Sequence, residues 1–186
     1  MNPLILARRI LTPGWVVSLV GLWKWRAKIS PRAEVELAGD LDLGSRATIG
    51  SFTKLKVTPG RVRFGDRCGI GTGCFIAAGP GGLELGDNVI IGPGVSLVAI
   101  NYQYERPDVP LEDQGYTSKG IRIGSNVWIG TNSVILDGSS IGDNSIVVAG
   151  SVVNRRFPPG CIIQGNPAKI LLRRKLQSSD TTGDNQ

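Results

Sequence analysis

A six-residue period constrains this chain more than any other feature. From Leu43 onward an aliphatic or aromatic residue followed by glycine recurs at Leu43-Gly44, Ile49-Gly50, Phe64-Gly65, Ile70-Gly71, Leu85-Gly86, Ile91-Gly92, Ile123-Gly124, Ile129-Gly130 and Ile141-Gly142. Four residues after each apolar position stands a small or β-branched one: Ala47, Thr53, Cys68, Cys74, Val89, Val95, Val127, Ser133 or Ser145. Turn formers fill the gaps, among them Asp66-Arg67, Asp87-Asn88, Pro93-Gly94, Ser125-Asn126 and Asp143-Asn144. A period of six fits neither an amphipathic helix nor simple strand alternation. It fits a short strand plus a tight turn, repeated. The large residue points into a shared core, the small one fits where the chain bends, and glycine supplies backbone angles closed to other residues. One such unit cannot bury its apolar side alone, but stacked coils can.

Three hexapeptides close a triangular coil. Leu43, Phe64 and Leu85 are spaced by 21, three hexapeptides plus three residues, and the extra residues fall near Pro59-Gly60 and Pro80-Gly81-Gly82. Small corner loops should therefore stack on one another. A larger interruption, 98–122, precedes the resumed repeats, and long loops in compact repeat folds usually carry function. The 26 glycines and 6% aromatic content suit such a turn-rich fold and argue against a helical bundle. Net charge is +6, compatible with an anionic partner or with plain surface charge. No stripe of Arg and Lys interleaved with aromatics spans the domain, which argues against nucleic acid. Cys68, Cys74 and Cys161 read as small core residues, consistent with a reducing cytoplasm.

Residues 1–28 stand apart. Leu4, Ile5, Leu6, Ile10 and Leu11 surround Arg8 and Arg9; after Pro13-Gly14 comes Trp15-Val-Val-Ser-Leu-Val-Gly-Leu-Trp23, then Lys24, Arg26 and Lys28. This apolar run is too short to span a bilayer. It reads as a helical or extended cap over the open first coil, which repeat folds require, or as an interfacial membrane segment flanked by cations. The β-helix itself is expected over 29–165. Past Phe157-Pro158-Pro159-Gly160, Asn166 and Pro167 suit a helix start, so a helix is expected over 166–176, followed by a disordered polar tail, 177–186.

Ile123-Gly-Ser-Asn-Val-Trp-Ile-Gly130, Ile141-Gly-Asp-Asn-Ser145, Ala149-Gly-Ser-Val-Val153, Pro158-Pro-Gly160 and Gly165-Asn-Pro-Ala-Lys169 together resemble the hexapeptide-repeat acyltransferases. The nearest branch is the maltose, galactoside and nodulation-type O-acetyltransferases and their relatives in surface-polysaccharide synthesis. The resemblance covers about residues 43–175 and implies an all-β, left-handed parallel β-helix with short N- and C-terminal helical segments. It also implies a homotrimer with active sites between subunits, acetyl-CoA as acyl donor and a sugar or glycan acceptor; the cysteines, not the resemblance, point to the cytoplasm, and the absence of histidine argues against a metal. By position the resemblance places Trp128 and Thr131 near the thioester, Ala149 and Asn154 beside the pantetheine, and Lys169 and Arg173 at the CoA phosphates. Read singly, these residues are equally a subunit contact, a helix start and a solvated basic face.

In that family a histidine at the root of the long loop takes the acceptor's proton. Counted from Leu85-Gly86-Asp87-Asn88, its position is Tyr102, and the chain contains no histidine. A family asparagine one coil earlier falls on Cys74. Asn101 neighbours the vacant position; Glu105, Asp108, Glu112 and Asp113 are the loop carboxylates able to take a proton, each otherwise a solvated charge. A positioned base contributes about 10²–10⁴ in rate, and tyrosine, titrating near pH 10, is a poor one. Without a replacement base the chain reads instead as a trimeric scaffold binding CoA or sugar without turnover.

Overall fold

The computed structural model describes residues 12–37, 40–57 and 59–174. The expected polar tail, the end of the expected C-terminal helix and the first eleven residues lie outside them.

Short parallel strands stack into three faces. The first is an eight-stranded sheet running from Lys28–Ile29 through Thr48–Ile49, Gly69–Ile70, Ile90–Ile91, Trp128–Ile129 and Ile146–Val147 to Cys161–Gly165 and Ala168–Arg173. The second, six-stranded, begins at Glu34–Val35 and ends at Val152–Val153; the third, also six-stranded, begins at Asp40–Asp42 and ends at Arg156–Phe157. Apart from the last two strands of the first face and the two of the long loop, consecutive strands lie on different faces and pair with equivalents one coil away, for instance Ile91 with Ile70 and Ile129. The fold is a left-handed parallel β-helix.

The inward slots are those the periodicity names. Leu43, Ile49, Phe64, Ile70, Leu85, Ile91, Ile123, Ile129 and Ile141 are all buried, as are the small residues four places on. Because the coils are stacked in register, each inward residue sits over its equivalent and the core is one continuous column. Its hydroxyls are paired: Thr53 donates to the Gly71 carbonyl at 2.7 Å and Ser139 to the Val153 carbonyl at 3.0 Å, as burial demands. The three cysteines are buried and unbridged.

One coil lies ahead of the periodic stretch, so the long loop leaves the fourth coil, between Ser96–Val98 on the second face and Ile121–Ile123 on the third. That corner also carries the three-residue extras. A β-carbon on Gly60 would strike the Gly79 carbonyl, the mark of two corner loops stacked directly on each other.

The first coil is covered by a helix, Gly14–Trp25. It ends at Arg26, whose left-handed backbone (φ 52°) returns its amide to the Gly21 and Leu22 carbonyls. Val17 and Gly21 are buried beneath it, and a β-carbon on Gly21 would stand 2.5 Å from Ile29 Cδ1. Glycine is what lets the helix lie flush on the coil.

The opposite end departs from expectation. The chain from 166 does not form a helix: Ala168–Arg173 is a strand, antiparallel to Cys161–Gly165. Gly165, at φ 108°, takes a conformation closed to side-chain-bearing residues and turns the chain back. The last strand of a β-helix presents a row of unpaired backbone groups. Satisfying them outweighs the local helix-start chemistry of Asn166-Pro167, a weak preference by comparison.

Candidate active site

The long loop is a built structure. Asn101–Tyr102 pairs antiparallel with Tyr116–Thr117, Tyr102 opposite Tyr116, and a short 3₁₀ turn, Leu111–Asp113, sits at its far end. The buried Gln114 holds it from inside: its Nε2 donates to the Arg106 and Val109 carbonyls, both at 2.7 Å, while its Oε1 accepts the Arg106 amide at 3.1 Å. At the exit, the buried carboxylate of Asp137 accepts the Lys119 amide at 2.7 and 2.9 Å and the Gly120 amide at 2.8 Å. Ser118 closes the root, donating to the Ala99 carbonyl and accepting the Gly81 amide. None of these anchors is anticipated from the motifs. Asp137 was detectable, because it occupies the inward slot held by Val57, Ala78 and Ala99 in earlier coils, where a carboxylate has no place unless it is bonded.

The anchored hairpin presents Tyr102 at 63% exposure, with Tyr104 and Tyr116 also exposed. Glu105, Asp108, Glu112 and Asp113 lie on its exposed surface, and Glu105 Oε2 accepts the Tyr104 amide at 3.2 Å. Cys74 does not belong to this region. It is 1% exposed, its thiol donates to the Gly92 carbonyl at 3.3 Å, and burial pushes its pKa up. It is a core residue, and the residues under the loop root are Ala78 and Gly79.

The remaining expected positions fall into three places. Trp128, 52% exposed, projects outward from the first face, with Ile90 before it and Ile146 after it in the same column. Thr131 and Ala149 stack at the corner between the first and second faces; the Thr131 carbonyl accepts the Gly150 amide at 2.9 Å. Asn154 lies at the other corner of the second face, the one that bears the loop. Lys169 and Arg173 are not one helical turn apart. Lys169 pairs with Gln164 and Arg173 with Cys161, and the register shift between Ile162 and Ile163 inserts one extra residue between them. They therefore project from opposite sides of the strand, Lys169 on the side of Ile162 and Leu172. The second face separates the Trp128–Thr131–Ala149 group from the hairpin and Asn154. A single chain does not bring these two groups of residues together.

The face between them is apolar on its outside over the later coils, with Phe75, Ala77, Val98, Val134, Leu136 and Val152 projecting outward. The third face is charged instead, carrying Arg61–Asp40, Arg63–Asp40 and Arg122–Glu84 ion pairs at 2.6, 2.7 and 3.5 Å.

Two family descriptions match these coils. "Hexapeptide repeat of succinyl-transferase" matches residues 61–99, and "Bacterial transferase hexapeptide (six repeats)" matches residues 120–155. The chain carries hexapeptide repeats of the kind these two families describe over residues 61–99 and 120–155. The two matches flank the long loop. The hexapeptide-repeat chain is 43% identical over 60 residues to galactoside O-acetyltransferase of Escherichia coli, covering 32% of this chain and 29% of that one. It spans about a third of the length of the curated relatives it matches. The N-acyltransferase AntD of Bacillus cereus, solved with dTDP and 3-hydroxybutyryl-CoA, shares its fold at a TM-score of 0.72 and 23% identity, over 81% of each chain. A hexapeptide-repeat acetyltransferase of Vibrio cholerae, solved with acetyl-CoA, does so at 0.66 and 23% identity, over 94% of this chain and 85% of that one.

Proposed function

We propose that this protein is an acyltransferase that moves an acetyl group from acetyl-CoA to a sugar hydroxyl in surface-polysaccharide or lipopolysaccharide synthesis at the cytoplasmic side of the cell. The observation that carries the reading is the loop: an interruption of the repeat, held in shape by two buried polar side chains, on a fold whose relatives are named acetyltransferases.

The exposed groups suit an elongated donor with an apolar arm and a phosphate end. Trp128 offers an apolar platform, Thr131 a hydroxyl, the Ala149–Gly150 corner open backbone, and Lys169 a cation on the side of the last strand that continues the Trp128 column. Arg173, on the other side, does not join that set. The thioester supplies an activated acyl group; the acceptor oxygen bonds to its carbonyl carbon, the carbon–sulfur bond breaks, and the hydroxyl proton must leave. Tyr102 occupies the base's place without a base's chemistry. Glu105 is the loop carboxylate closest to it in the chain, and Asp108, Glu112 and Asp113 lie further along. Asn101, at the hairpin's start, is a positioning group for the acceptor.

A homotrimer completes the site. The apolar second face is the surface that separates the two half-sites, and packing it against a neighbour would set one copy's hairpin beside the other's Trp128 and Thr131. The charged third face is left to solvent.

The alternative, a trimeric scaffold that binds CoA or sugar without turnover, draws on one specific observation, the absence of histidine from all 186 residues. Free-thiol release from acetyl-CoA across a panel of glycans and amino sugars separates the two. Acceptor-dependent release, lost in Glu105→Gln or in one of the other loop carboxylate variants, establishes the enzyme. Calorimetric CoA binding with no release establishes the scaffold. Tyr102→His restores a base where the family holds one and should raise turnover by tenfold or more; an unchanged rate in a folded trimer refutes that placement.

A further inference from the structure

All of the protein's net charge lies in its first 33 residues. Arg8, Arg9, Lys24, Arg26, Lys28 and Arg32 fall there with no acidic residue, while the rest of the chain holds 15 of the 21 basic residues and all 15 acidic ones. Everything from Glu34 onward is neutral in sum.

The helix inside this segment has two apolar sides. Val17 and Gly21 face the first coil and are buried. Trp15, Leu19, Leu22 and Trp23 are exposed, at 60%, 57%, 56% and 88%. At about 100° per residue these four occupy a single arc of roughly 100°, centred opposite Val17 and Gly21. The two readings of the sequence, a cap and an interfacial segment, are therefore the two sides of one helix. A twelve-residue helix is about 18 Å long and does not cross a bilayer, and no helix among the described residues is long and apolar enough to do so.

Lys24 and Arg26 stand at the helix's C-terminal end, Lys28 projects from the first strand, and Arg32 lies in the following turn; all four are exposed. Two tryptophans and two leucines on one arc, in a segment that holds six cations and no acidic residue, are the chemistry of a helix lying in a headgroup layer. A protein partner would need only the apolar arc. The confinement of the whole net charge to this segment argues for an anionic surface.

We infer that the Gly14–Trp25 helix docks the protein on an anionic bilayer surface, with Trp15, Leu19, Leu22 and Trp23 in the interface and the cations that follow the helix, Arg26, Lys28 and Arg32, drawn to the lipid headgroups. The inference is independent of the acyl-transfer reading. The loop leaves three coils further along, about 14 Å at a coil rise of about 4.8 Å, so docking leaves the hairpin free.

The test is flotation of the full-length protein with vesicles of phosphatidylcholine alone or mixed with phosphatidylglycerol. Binding is expected only to the anionic vesicles and should fall steeply with salt. Trp15→Ala/Trp23→Ala should lower partition at least tenfold. Lys28→Gln/Arg32→Gln should lower it about 25-fold, at roughly fivefold per cation near an anionic surface. Both pairs are exposed, and circular dichroism and gel filtration check that each variant keeps its fold and mass. Tryptophan quenching by brominated lipid should vanish in the first variant. No flotation with either vesicle, or flotation unchanged in the tryptophan pair, overturns the inference. So does a change in oligomeric mass in that variant, which would mean that a second copy covers the arc.

Discussion

Asp137→Ala tests whether the long loop is held by the fold or merely attached to it. The carboxylate serves two donors, the amides of Lys119 and Gly120, through three contacts of 2.7–2.9 Å. Hydrogen bonds to a charged group contribute about 1.5–3 kcal/mol each, and a buried donor left unpaired costs about 1–3 kcal/mol. The two amides differ. Lys119 is exposed and water can replace its partner; Gly120 is buried and water cannot. The loss should therefore fall short of two full bonds, at about 2–4 kcal/mol. Asp137→Asn keeps one oxygen, which can still serve both amides, but turns an NH₂ toward Lys119, and should lose about half as much. Urea unfolding followed by circular dichroism gives the global figure. Hydrogen exchange resolved by mass spectrometry gives its location, and the expected signature is faster exchange over 99–121 with coils 123–157 nearly unchanged. Acyl transfer should fall with it. An Asp137→Ala protein within about 0.5 kcal/mol of wild type, with no faster exchange at Lys119 and Gly120, would refute the reasoning.

Three further predictions concern the buried thiols and the last strand. Cys68, Cys74 and Cys161 are buried, and burial pushes the first two thiols above the ordinary range. All three should ignore Ellman's reagent at pH 8 in the native protein and react on unfolding in urea; rapid native labelling would refute their core placement. Because Cys68 and Cys74 hold their protons more tightly folded than unfolded, their contribution is complete below the unfolded thiol pKa, about 8.5. It is lost as pH rises through the folded values, so stability should decline above about pH 9 and less so in Cys68→Ala/Cys74→Ala. At the last strand, Lys169→Ala should weaken CoA binding by about tenfold, the loss of one charge-assisted bond, and Arg173→Ala should change it little. Equal losses by calorimetry would contradict the opposite orientation of the two side chains.

The repeat was legible because it obeys one local rule. Each inward residue meets its equivalent in the next coil, so the sequence period and the packing period are the same. The C-terminal segment was misread because its structure is decided elsewhere. Asn166-Pro167 followed by Ala168-Lys-Ile-Leu-Leu-Arg173 satisfies helix chemistry locally, but the open edge at Cys161–Gly165 is visible only once the coils are stacked. That error carried Lys169 and Arg173 onto one side. Cys74 was read correctly as a core residue; what the motif count could not show is that an inward position there leaves the family's asparagine with no counterpart on it. The site's anchors were missed because Gln114 acts within a loop that has no repeat to compare it with, and Asp137 stands out only when it is set against Val57, Ala78 and Ala99 in the same inward slot.

The same separation bears on what the fold can say about activity. Inward residues and backbone ladders build the prism, and neither requires any particular residue at Tyr102. Replacing a histidine there costs the fold nothing, so likeness of fold to acyl-transferring relatives persists whether or not turnover does. Outward residues are under no such packing demand, which makes their asymmetry informative. The second face carries a Lys54–Glu34 ion pair at 2.9 Å in its early coils and turns to Val98, Val134, Leu136 and Val152 in its later ones. The third face stays charged, and the net charge is confined to the first 33 residues. A solitary prism gains nothing from this arrangement. An apolar strip beside the loop is the surface proposed for a neighbouring copy, and a cationic, tryptophan-bearing end the one proposed for a bilayer, so the two proposals are tested at different places on the molecule.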